Sequence, residues 1–208
     1  MVFSFEHLSE LQLDALREIG NIGAGNAATA LARMVDHRVS MEVPLVKILP
    51  LKDVPEWLGG PEKEVLGVYL SMFGAMSGHI LFVLDLDNAQ KMMKILLGDM
   101  APAKEQMLDM DDLASSAMAE IGNILSSSYL CALADFTGLN LNHSVPEIAV
   151  DMVGAIVDLV LIEISRRGDY ALLIETEFVE EKYHIIGFFM LIPDSGSLEI
   201  MLKSIGVV

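Results

Sequence analysis

Glu18-Ile19-Gly20-Asn21-Ile22 returns as Glu120-Ile121-Gly122-Asn123-Ile124, at an offset of 120 − 18 = 102 residues. The same offset carries Asp14 onto Ser116, Ala30-Leu31-Ala32 onto Ala132-Leu133-Ala134, and Val43-Pro44 onto Val145-Pro146. Similarity at a fixed offset means two copies of one supersecondary unit. What the copies share most clearly is a carboxylate and a carboxamide three residues apart, which a single helical turn sets side by side on one face.

The elements around each copy follow the same order. Ser9 and Gln12 read as a capping box ahead of Leu13, Leu16, Ile19 and Ile22, which predicts a helix over about 10–36 with those four residues as its apolar stripe. Val39 to Leu49 reads as a strand that Pro44 confines to a sheet edge or a break. Pro55 to Pro61 is a connection. Val65–Phe73 and His79–Leu84 form a hairpin around Gly74 to Gly78. A short helix capped by Asp87 or Asn88 stops near Gly98.

In the second copy Asp109, Asp111 and Asp112 favour a helix start by their charge, and Gly138 supplies its stop after Phe136. A strand then runs through Pro146 to Val150. Asp151 to Ser165 has helical spacing, Tyr170–Phe178 and Lys182–Ile192 form a second hairpin, and a last helix over about 195–205 ends at Gly206. Asp99 to Met107 is the linker.

The expected architecture is an α/β fold with a pseudo-twofold internal duplication. A largely antiparallel sheet is shared by both halves, and the long motif-bearing helices pack on it. One domain over 1–208 is expected, built from repeats over about 9–98 and 109–206.

The chain has 208 residues and a formal net charge of −17, so the phosphate backbone of nucleic acid and anionic membrane surfaces are poor partners. No apolar run reaches the roughly 18 residues of a membrane span. The nearest, Ile148 to Ile164, is interrupted by Asp151, Asp158 and Glu163. The N-terminus does not read as a signal peptide. Cys131, the single cysteine, suits a reducing compartment and reads as a small core residue. A cytoplasmic location is therefore expected, with no nucleic-acid partner and no membrane insertion, and a monomer is the expected state.

Asp14, Glu18 and Asn21 fall at i, i+4 and i+7 and form one polar stripe, and Ser116, Glu120 and Asn123 repeat it. Each helix-interior glycine costs about 1 kcal/mol against alanine, so Gly20, Gly23 and Gly25 need a reason. Close approach of another backbone or side chain to Glu18 and Asn21 would supply one. Chemically, a carboxamide donates and accepts hydrogen bonds at once and can hold a water molecule in line. Phosphoryl transfer depends on that kind of positioning. A carboxylate one turn away could anchor a basic group on a partner. The histidines show no metal-ligand spacing, and the glycines follow a helix rather than the strand a dinucleotide-binding loop requires. Ser126-Ser127-Ser128 suggests helix packing or the rim of the second stripe. The fourteen methionines suggest core filling.

The spacing Asp/Ser-x3-Glu-x2-Asn-x22-Pro fits Asp14, Glu18, Asn21 and Pro44, and again Ser116, Glu120, Asn123 and Pro146. It resembles the signature of the CheC/CheX/FliY phosphatases of chemotaxis, which hydrolyse the aspartyl phosphate of CheY-type response regulators. Within that family, two intact copies without an added domain are similar to the CheC branch. The resemblance implies that Asn21 and Asn123 orient the attacking water and that Glu18 and Glu120 contact the regulator's lysine. Asp14, Ser116, Pro44 and Pro146 would be supporting positions. It implies no cofactor of the chain's own, the Mg²⁺ being supplied by the regulator. Ala149 to Ile156 also resembles a segment that docks the receptor deamidase CheD, with Asp151 as its charged contact. A protein that docks a regulator or CheD without turnover is the alternative function.

Overall fold

The computed structural model describes residues 9–163 and 170–204. Helix α1 (Glu10–Val35) begins at the expected capping box, where Ser9 and Gln12 bond reciprocally. Strand β1 (Ser40–Pro50) follows, then helix α2 (Val54–Trp57), the hairpin β2 (Glu64–Gly74) and β3 (Gly78–Asp85), and helix α3 (Leu86–Leu97). The second copy supplies helix α4 (Asp112–Thr137), strands β4 (Leu141–His143) and β5 (Glu147–Met152), and helix α5 (Val153–Glu163). It ends with the hairpin β6 (Tyr170–Val179) and β7 (His184–Pro193) and with helix α6 (Ser195–Ser204).

Seven strands form one antiparallel sheet in the order β1-β6-β7-β3-β2-β4, with β5 also paired to β2. The edge strands are exchanged between the copies. β1 pairs with β6 of the second hairpin, and β4 and β5 lie along β2 of the first. The two exchanged pairings have matching registers: Val46 lies opposite Ile174, while its repeat equivalent Ile148 lies opposite Val68. The pseudo-twofold relation passes between β3 and β7, where Phe82 faces Phe189.

Alternation along the strands divides the core between two faces. Leu66, Val68, Leu70, Ile80, Phe82, Leu172, Ile174 and Phe189 pack with the long helices α1 and α4. Val65, Leu81, Val83, Leu173, Met190 and Ile192 pack with α2 and α5 on the opposite face. Eight methionines are buried in these clusters, including Met92, Met93, Met118 and Met190. Among the described residues no helix is long and apolar enough to cross a membrane.

Several local expectations are corrected. Asp85, two residues before Asp87, caps α3 and accepts a hydrogen bond from the Asn88 N–H at 2.8 Å, because the helix follows directly on the end of β3. The Pro55–Pro61 connection holds the short helix α2, with Pro55 in its first turn. Asp151 lies on β5, not on a helix, since Glu64 to Tyr69 of β2 pair with the segment up to Met152. Cys131 is exposed, on the solvent side of α4. In α1, Leu16 and Ile19 are buried but Ile22 is exposed; the buried face continues instead through Gly20, Gly23, Ala24, Ala27 and Ala28. Small residues there let α1 approach its neighbours closely. Gly206 and the end of the Asp151–Ser165 segment lie outside the described residues.

Candidate functional site

Both acid–amide pairs sit in the middle of long helices laid on the same face of the sheet. Glu18, Asn21 and Glu120 are exposed, and Asn123 is half-buried. No other side chain among the described residues forms a hydrogen bond or ion pair with any of these four. They are polar groups presented outward with their bonding capacity unspent. Asp14 differs: its carboxylate accepts a hydrogen bond from the Arg17 guanidinium at 2.9 Å, a contact that the spacing alone did not bring to notice. Ser116 is exposed on the matching turn of α4.

What fixes the depth of each stripe is the glycine between the acid and the amide. A Cβ on Gly122 would stand 2.4 Å from Val68 Cγ1 and 3.7 Å from Pro146 Cβ. One on Gly20 would meet Val43 at 3.6 Å and Ile174 at 3.8 Å. These glycines therefore face the chain's own sheet. Gly23 faces the other long helix, where a Cβ would come within 2.6 Å of Tyr129 Cδ1. Only Gly25, one turn beyond Asn21, faces open space. Three glycines that look alike in the sequence thus serve three surfaces, and one of the three lies beside the amide.

Pro44 and Pro146 occupy matching breaks. The β1 register shifts between Glu42 and Leu45, around Pro44. Pro146 separates β4 from β5, where neither strand could use its missing N–H. Each break lies near the glycine turn of its own repeat's helix, with Gly20 against Val43 and Gly122 against Pro146, and the glycines also make a matching contact with the neighbouring hairpin, Gly20 on Ile174 and Gly122 on Val68.

The seam between α1 and α4 is anchored by Tyr129. Its ring stacks on Phe189 with centroids 4.3 Å apart, and its hydroxyl bonds Thr176 Oγ1 at 3.1 Å. Burial pushes the phenol up to about 12. Nearby, the Ser126 hydroxyl is buried with no hydrogen-bond partner among the described residues. Ser127, on the next face of the helix, bonds His143 Nε2 at 2.8 Å. Ser127 follows Asn123 by four residues, a spacing readable in the sequence, whereas the meeting with His143 requires the fold.

Asp151 is placed apart from both stripes. It lies at the exposed end of β5, its carboxylate accepting a hydrogen bond from the Met152 N–H at 2.7 Å. The adjoining Met152 is 46% exposed, and on α5 Leu159 and Ile162 are 60% and 71% exposed. A groove of about 330 Å³ runs between α5 and the strands, bounded by Tyr69, Leu81, Glu147, Ile156 and Leu159. It opens on the face of the sheet opposite to α1 and α4.

The sequence profile described as the CheC-like family matches residues 11–48 and 113–150, the two segments that hold the stripes and the strand breaks. A Bacillus subtilis protein named CheY-P phosphatase CheC is 36% identical over 204 residues, covering 97% of this chain and 97% of that protein. The flagellar motor switch phosphatase FliY of the same organism is 25% identical over 143 residues, 69% of this chain and 36% of its own length. Among solved structures, Thermotoga maritima FliY superposes with a TM-score of 0.77 at 19% identity, covering 96% of this chain and 98% of that one. A Helicobacter pylori FliM middle domain superposes with a TM-score of 0.67 at 14% identity, covering 95% and 99%. At these identities the structural matches speak for the fold alone. With its fold, its duplicated motif and its full-length similarity in agreement, the chain belongs to the CheC-like family.

Proposed function

We propose that this chain is a phosphatase that hydrolyses the aspartyl phosphate of a CheY-type response regulator at two acid–amide sites. The observation that carries the reading is the duplicated pair itself. Glu18 with Asn21 and Glu120 with Asn123 present unengaged polar groups on two helices, in a chain 36% identical to a protein named CheY-P phosphatase across 97% of its length. Each amide would hold a water molecule in line with the phosphorus. The water oxygen forms the new bond to phosphorus while the bond to the aspartyl oxygen breaks, releasing inorganic phosphate and a free carboxylate. Such a reaction asks the protein for positioning rather than covalent chemistry. Each glutamate would pair with a lysine of the regulator, and the Mg²⁺ of the acceptor site would be the regulator's own.

Phosphate release from a regulator labelled with acetyl phosphate tests this. Asn21→Ala and Asn123→Ala should each leave partial activity. The double variant should lose on the order of 100-fold or more, the scale of a lost positioning group. Both asparagines lie off the buried face, so circular dichroism should show the fold intact. Full activity in the folded double variant would falsify the mechanism.

A second surface is proposed at the β5–α5 corner, where exposed Met152 adjoins Asp151 and α5 carries the exposed Leu159 and Ile162. An apolar patch with one acidic residue suits a docking partner, and CheD is the partner that the family resemblance suggests. Asp151→Lys should abolish a complex with the cognate CheD in calorimetry while phosphatase activity persists, because the stripes lie on the other face of the sheet. Unchanged binding by Asp151→Lys, or no complex with the unmodified chain, would remove this partner from the proposal.

A further inference from the structure

The two stripes differ in one respect that bears on the water they are proposed to hold. His143 Nδ1 lies 2.8 Å from the Ser144 carbonyl oxygen. A carbonyl only accepts, so Nδ1 carries a proton, and in the neutral tautomer this leaves Nε2 as an acceptor. Ser127 Oγ, 2.8 Å from Nε2, must then donate to it. The hydroxyl hydrogen is thereby committed, and the remaining lone pairs of Ser127 Oγ can only accept. Ser127 and Asn123 are four residues apart on α4, about 6 Å between their Cβ atoms. Both are half-buried and therefore still reachable from solvent. In the first copy the equivalent positions are Gly25 and Met41, which can form no such chain.

We infer that Ser127 is a further water-contacting residue of the second site and that His143 is its positioning residue; this rests on the phosphatase reading above. A water molecule has two hydrogens to donate. The Asn123 carbonyl oxygen takes one and Ser127 Oγ takes the other, which leaves a lone pair of the water directed at phosphorus. At the first site Asn21 works without a second acceptor, so the two sites hold their water differently. The Ser144 carbonyl–His143–Ser127 chain sets the direction of the hydroxyl, and its role at the site is to keep that direction fixed.

The test uses the full chain carrying Asn21→Ala, so that turnover reports the second site, with acetyl-phosphate-labelled regulator as substrate. Ser127→Ala should lower kcat about tenfold with KM changed less than twofold, the scale of one lost hydrogen bond in the rate-limiting complex. His143→Phe should do the same, whereas His143→Gln should recover most of the rate because its amide oxygen can accept from Ser127. A purely packing role would not separate glutamine from phenylalanine in this way. Nitrogen-15 NMR of the His143 ring reads the tautomer independently of turnover: a proton on Nδ1 is expected, and one on Nε2 overturns the inference. So does unchanged kcat in Ser127→Ala, or equal loss in both His143 variants. Absence of phosphate release by the unsubstituted chain would instead overturn the phosphatase reading, and this role for Ser127 with it.

Discussion

Gly20 and Gly122 occupy the same place in the motif, yet the space beside them differs. At Gly122 an added methyl group would stand 2.4 Å from a buried, β-branched side chain, which has little freedom to turn away. At Gly20 the nearest atoms are at ordinary contact distance. Gly122→Ala should therefore destabilise the fold by about 1–3 kcal/mol, the scale of an overpacked core. Gly20→Ala should be neutral or stabilising by up to about 1 kcal/mol, from the gain in helix propensity. Denaturant unfolding of the two variants checks the difference, and equal midpoints would contradict it. The sequence announces that the motif glycines need a reason but does not reveal which surface each one faces. That depends on the rotation of α1 about its axis, which the exposed Ile22 shows to differ from the rotation its apolar spacing suggests.

At the level of elements, what could be read was whatever is written in local chemistry. The capping box at Ser9, the Asp111 cap and the left-handed Gly138 stop are short-range devices, and they place α1 and α4 to within a residue or two. Both hairpins were legible from alternation, and the first also from the glycines at its turn. The β5–α5 junction was not. Ile148, Val150 and Val153 fit a strand or a helix, and short apolar runs cannot be told apart by period alone. What decided it was a partner strand about eighty positions earlier in the chain, since β2 binds the segment as far as Met152. The acid–amide stripes were legible because duplication marks them. The Ser127–His143 bond was not, because its members come from different elements and only one copy has it.

At the scale of the whole molecule, the exchanged edge strands matter most. Each hairpin is flanked by a strand from the other repeat, so each half alone would leave the edge of its hairpin unpaired and one face of its long helix bare. We propose that the two repeats form a single folding unit. The full chain should unfold in one cooperative transition. Fragments 9–98 and 109–204 should each lack a cooperative transition when expressed alone. A sharp independent transition in either fragment would count against this.

The meeting of Gly23 with Tyr129 carries a consequence for ancestry. A doubled chain of this kind invites the thought of a symmetric pair of identical halves, later joined by a linker. Two copies of the second half could no longer make that pair, because Leu125 holds the place of Gly23 and would be driven into Tyr129. Two copies of the first half would set Gly23 against Ala27, the residue that stands where Tyr129 does, and leave a hole in place of the ring. At this seam the halves are complementary rather than alike, and neither would pair with a second copy of itself without a clash or a hole.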